Sequence, residues 1–93
     1  MSIPLTDILY IEALGNYVKI VRTSGGHVLT RANLKSIVEL LPDKAFLRIH
    51  RSYVVAVSAV LSFTRSRVVV KGQAADLPVG AQYASQVMEA LGG

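Results

Sequence analysis

The stretch ILYIEALGNYVKIVRT, residues 8–23, decides the fold. Its first part, Ile8 to Leu14, is a nearly continuous apolar run. Gly15-Asn16 stops it before it reaches helical length, so it reads as a buried strand. Tyr17 to Thr23 follows. There Val18 and Ile20 alternate with Lys19 and Val21, and residues that favour strands dominate. Gly15-Asn16 suits a two-residue hairpin turn, because Gly and Asn tolerate positive φ.

Working outward, Ser24-Gly25-Gly26 reverses the chain into a third strand, His27 to Arg31. The period then changes. Leu34, Ile37, Val38 and Leu41 fall at helical spacing on one apolar face. Asn33 is placed as the N-cap and Pro42 forbids continuation, which predicts a helix of about two turns. Phe46 to Ile49 returns to strand, and the apolar, β-branched segment Tyr53 to Phe63 reads as two short strands. Arg65-Ser66 is a turn, and Arg67 to Lys71 is a strand ended by Gly72. Ala74 to Val79 is a last strand, with Pro78 marking an edge or an end. Ala84, Val87, Met88 and Leu91 again show helical spacing, with Gly92 at the C′ position. This spacing leaves no room for repeated βαβ crossovers. The expected fold is mainly β: small antiparallel sheets with two short helices.

A chain of 93 residues forms one domain, residues 1–93, with a modest core. A hydrophobic fraction of 52% and a mean hydropathy of +0.44 argue against disorder. No apolar run approaches the roughly 18 residues of a membrane span, and no basic region followed by a long apolar stretch, the pattern expected of a signal peptide, follows Met1. The absence of cysteine excludes a disulfide framework and fits a cytoplasmic home. Ten basic residues against six acidic ones leave a net charge of +4, which favours a polyanionic partner only weakly. The basic residues form no run, so this is not a basic tail. Ile8 already belongs to a strand, so the chain is expected to be a piece of a longer protein.

Catalytic chemistry has little support. His27 and His50 stand 23 positions apart without metal-site spacing. Asp7, Glu12, Asp43 and Asp76 are scattered and read as a solvated face. Gly25-Gly26 is a turn, since no phosphate-loop motif surrounds it. His50 and Ser52 share one side of an extended segment, but no acid accompanies them, and a nucleophile reading is remote. No cofactor or metal is expected.

The segment FLRIHRSYVV, residues 46–55, carries the functional signal. Arg48, His50 and Ser52 alternate with Leu47, Ile49 and Arg51. A strand entering a tight turn here projects Arg, His and Ser together, with Phe46 and Tyr53 anchoring the base. A guanidinium can read guanine O6/N7 or clamp a phosphate, and imidazole and hydroxyl can donate to phosphate. A solvated, mildly basic hairpin accounts for the same residues equally well.

Taken in order, ILYIEALGNYVKI, a helix ending in LLP, FLRIHRSYVV and LPVGAQY closely resemble the LytTR domain of LytR/AlgR-type response regulators. The resemblance covers Asp7 to about Leu91. It implies an elongated β core with short helices alongside, and binding of double-stranded DNA through loops that enter successive major grooves. It also implies a bacterial two-component regulator, with an N-terminal receiver domain and homodimers on paired DNA repeats. Residue by residue, it marks Asn16, Tyr17 and Lys19 in the first DNA-facing loop, and Arg48, His50, Arg51 and Ser52 in the second. In the third loop the family commonly has Ser-Arg, whereas this chain has Gly80-Ala81. That removes a guanidinium from a base-reading position and leaves the amide of Gln82 as the candidate for the role. Arg22, Arg31, Lys35, Arg65, Arg67 and Lys71 are candidates for neutralising phosphates. Tyr10, Phe46, Phe63 and Tyr83 read as core or support. The alternative is a protein-interaction or dimerisation module that uses exposed strand edges.

Overall fold

The computed structural model describes residues 3–74 and 76–92. Strands β1 (Ile8–Leu14) and β2 (Tyr17–Arg22) form the expected antiparallel hairpin, with Leu14 facing Tyr17 across the two-residue turn. Gly15 takes φ 62°, and no non-glycine among the described residues has positive φ. Only the first turn position therefore uses the left-handed region, the pattern of a type II′ hairpin turn. Strand β3 (His27–Arg31) adds to β2. Strands β4 (Phe46–His50) and β5 (Tyr53–Ala56) form a second hairpin, and β5 pairs antiparallel with β1. The result is a five-stranded sheet in the order β3-β2-β1-β5-β4.

A 3₁₀ turn at Val57–Ala59 splits the long apolar segment and carries the chain into a second sheet. That sheet holds β6 (Val60–Phe63), β7 (Arg67–Val70) and β8 (Leu77–Pro78), again antiparallel. The last strand is shorter than the sequence suggests. Only Leu77 and Pro78 pair, with Val68 and Arg67. Ala74 is an exposed bend, and Ala75 of the expected strand lies outside the described residues. Pro78 has no N–H to extend the ladder. The molecule measures 35 × 24 × 23 Å, so it is elongated along one axis.

Helix α1 (Leu34–Leu40) starts where expected, because the Asn33 side chain accepts the Ser36 N–H at 2.8 Å. Leu34 is buried, and Ile37, Val38 and Leu41 pack partly against the core. Helix α2 (Ala84–Gly92) buries Val87 completely. Gly92 is its last residue, not a left-handed cap beyond it. No helix among the described residues is long and apolar enough to cross a membrane. Ile11, Val18, Ile49, Val54, Val68 and Val87 are fully buried and belong to a single cluster, so both sheets and α2 share one core.

One carboxylate does more than sit in solvent. Asp7 accepts hydrogen bonds from the Thr23 hydroxyl at 2.6 Å, the Ser24 N–H at 2.9 Å and the Arg22 Nε at 2.7 Å. The Thr23 N–H also donates to the Asp7 carbonyl. This clamp pins the start of β1 to the turn between β2 and β3. Led by the Thr23 and Ser24 donors, and helped by Arg22, it holds the Asp7 carboxyl well below the usual carboxylate range against the opposing effect of desolvation. The expectation that Asp7 is a solvated acid, and that Arg22 is free to neutralise a phosphate, is corrected by this pairing.

Candidate nucleic-acid interface

The strand order gathers turns that are distant in sequence at one end of the molecule. The β1–β2 turn lies there by construction. Glu12 of β1 faces Tyr53 of β5, and the Ala13 N–H donates to the Ser52 carbonyl at 2.8 Å, so the β4–β5 turn lies beside it. The Gly80 N–H donates to the Ile49 carbonyl at 2.8 Å, which brings in the segment after β8. The Val79 N–H reaches the Ser66 carbonyl at 2.9 Å, so the β6–β7 turn is alongside as well. Strand β3 ends at the same edge, where Arg31 pairs with Tyr17. Asn16, Tyr17, His50, Arg51, Ser52 and Gln82 are thereby brought together, and Asn16, Tyr17, Arg51 and Gln82 are exposed.

The β4–β5 hairpin departs from simple alternation. Arg48 pairs with Val54 and His50 with Tyr53, so a β-bulge at Ile49 inserts one residue on the β4 side. Val54 and Tyr53 are successive residues of one strand and point to opposite faces. Arg48 and His50 therefore leave the sheet on opposite sides, contrary to the expectation that they project together. Fully buried Ile49 occupies the extra position. The Arg48 guanidinium instead bends over the turn. Its Nη2 donates to the Arg51 carbonyl at 2.7 Å and its Nε to the His50 carbonyl at 3.3 Å. Its role here is to hold the turn that presents Arg51.

His50 is also positioned. Its Nδ1 accepts the Ser52 N–H at 3.0 Å, which leaves Nε2 as the donor of the neutral ring. The contact to Ser52 runs through the backbone amide, not through the hydroxyl that a nucleophile would use. The imidazole meets the Tyr53 ring edge-on at 5.6 Å, and Tyr53 donates its hydroxyl to Glu12 at 3.0 Å. Burial and the neighbouring Glu12 raise the Tyr53 phenol above its ordinary range, so it stays a donor. Gly80 closes the far side. A Cβ there would lie 3.1 Å from Tyr83 and 3.6 Å from His50, so glycine lets these rings approach. Sequence reasoning treats Gly80 only as a missing side chain, and the tight ring packing gives no signal in the sequence.

Three other basic residues fall differently. Lys19 lies two residues inboard of the turn and lines a depression shared with the β2–β3 turn and Lys71. Arg67 is exposed but stands 3.7 Å from Asp76. Arg65 sits in a turn stiffened by the Thr64 hydroxyl, which accepts the Ser66 and Arg67 N–H groups at 3.2 and 3.1 Å. Gln82 lies in the 3₁₀ turn Ala81–Tyr83 that leads into α2, so it sits at the start of a helix.

Comparison with known proteins agrees with this architecture. A domain from Bacillus cereus superposes with a TM-score of 0.85 over 100% of this chain and 88% of its own, at 24% identity. It is described as the LytTr DNA-binding domain of a methyl-accepting/DNA response regulator. The CO-responsive transcriptional regulator RcoM of Rhodospirillum rubrum is 38% identical over 58 residues, 62% of this chain. The match spans only 24% of RcoM. The LytTr DNA-binding domain family matches residues 1–92, and the chain belongs to that family.

Proposed function

We propose that this domain binds duplex DNA sequence-specifically, as the output part of a transcriptional regulator, by setting the turns at one end of its sheet into the major groove. The observation that carries the reading is the convergence at one end of Asn16-Tyr17, Arg51-Ser52 and Gln82, from three distant parts of the chain. Arg51, at the tip of a turn braced by Arg48, is suited to bidentate contact with guanine, and the amides of Asn16 and Gln82 to adenine. The Nε2 of His50 and the hydroxyls of Ser52 and Tyr17 are suited to phosphates. Arg31 and Arg65 flank the end and add charge. The relatives are regulators, which supports a longer chain in which a receiver domain controls this one and pairs it on repeated DNA sites. Selection of bound duplexes from a random pool tests the reading. A recurrent motif is expected. A pool that stays random after several rounds at low salt excludes sequence-specific binding, and self-association in its place would favour a dimerisation module built on the exposed β3 edge.

A further inference from the structure

At the end of the molecule opposite the gathered turns, a depression of about 680 Å³ opens between the two sheets. Its floor is apolar, made by Leu9, Tyr10 and Val21. Its rim carries Lys19 from β2, His27 at the start of β3 and Lys71 just after β7. One ammonium thus comes from each sheet. No carboxylate lines the depression among the described residues. Arg22 also reaches it, but its charge is balanced by Asp7 at 2.7 Å. Glu12 faces Lys19 across the strands, and its carboxylate is engaged by the Tyr53 hydroxyl. Gly25, Gly26 and Gly72 turn the chain around the opening, and a Cβ on any of them would meet nothing within 4 Å, so the entrance is clear.

Two lysines on an open surface are ordinary solvated cations. Here they border an apolar floor, in a space within the ~300–1,000 Å³ range of small-molecule sites. Two ammonium groups match the charge of a phosphate monoester, roughly −1.5 to −2 near neutral pH. We propose that this depression binds a small phosphate monoester with a flat apolar body. The body lies on Leu9, Tyr10 and Val21, and the phosphate sits between Lys19 and Lys71, with the His27 imidazole as a further hydrogen-bonding group. Because its walls come from both sheets, occupancy ties them together and raises the unfolding temperature.

Phenyl phosphate is the probe, followed by amide chemical shifts and thermal unfolding. Shifts are expected at Gly25, Gly26, Gly72 and Gln73, with Asn16, Arg51 and Ser52 unmoved. Phenol and inorganic phosphate, each half of the probe, should bind about ten-fold more weakly or worse. Lys71→Gln and Lys19→Gln should each weaken phenyl phosphate by about ten-fold, while Lys71→Arg keeps most of the affinity. Lys71 is exposed, so its variants retain the fold even if Lys19→Gln does not. The proposal is overturned if phenyl phosphate moves no amide around the depression, or only those of the opposite end. It is equally overturned if phenol binds as well as phenyl phosphate, or if Lys71→Gln leaves the affinity unchanged.

Discussion

Arg51 and Arg65 separate two kinds of contact at the same end of the molecule. If the Arg51 guanidinium reads a base, Arg51→Ala costs about 1–3 kcal/mol on the preferred site and relaxes preference at one position. Arg65→Ala, at a flanking phosphate, should weaken all duplexes alike and flatten the salt slope by about one unit. Competition titrations against single-base variants of the site check both. An unchanged preference in Arg51→Ala would reduce it to a backbone contact. Asp7 makes a different prediction. Its carboxyl is depressed in the folded state, so the clamp contributes its full stability above the ordinary carboxylate range of about 4 and loses it as pH falls through and below that value. The wild type should therefore lose more thermal stability than Asp7→Asn between about pH 5 and pH 2. Parallel losses would show that the clamp does not contribute. Neither the clamp nor the bulge at Ile49 is legible in the sequence. Asp7 finds its partners 15 to 17 positions away, and alternation is a local rule that an inserted residue breaks silently.

Among the elements, those with a strong local signal were legible. The β1–β2 hairpin follows from two strand-forming runs and Gly15-Asn16, and α1 from its four-residue apolar face and its Asn33 cap. The start of β8 was not, because Ala74 and the residues after it carry no period and only the pairing with β7 decides where the strand begins. Helix α1 also shows how burial is divided within one apolar face. Leu34 is 4% exposed, while Leu40, off the face, is 80% exposed. Leu34→Ala should cost about 2–5 kcal/mol in denaturant unfolding, and Leu40→Ala no more than about 0.5 kcal/mol. Ile37→Asp places a charge against the sheet and should cost several kcal/mol, on the order of a buried unpaired charge. Equal midpoints for wild type and Leu34→Ala would mean that α1 is not docked on β1.

At the scale of the molecule, the sheet order sorts the charges in a way that composition cannot reveal. A net charge of +4 says only that the chain is mildly basic. In the fold, Arg22 is paired with Asp7, Arg48 is folded onto its own turn, and Lys19 and Lys71 line the depression between the two sheets. Arg31, Arg51, Arg65 and the more loosely paired Arg67 are left beside the gathered turns, with Lys35 exposed on the first turn of α1. About four phosphates per domain are then within reach of cations, one guanidinium being spent on a base. Each neutralised phosphate contributes about −0.9 to the slope of log K against log salt, so one domain should give a slope of about −3.6. A fourfold rise in salt then weakens binding on the order of a hundred-fold. Two domains on paired repeats release counterions from both half-sites, and the slope should double to about −7. Titration of a single half-site and of a paired repeat at several salt concentrations distinguishes the two stoichiometries without a structure of the complex. An affinity that does not change with salt would mean that the cations left at this end do not meet phosphates, and the placement of DNA there would be wrong.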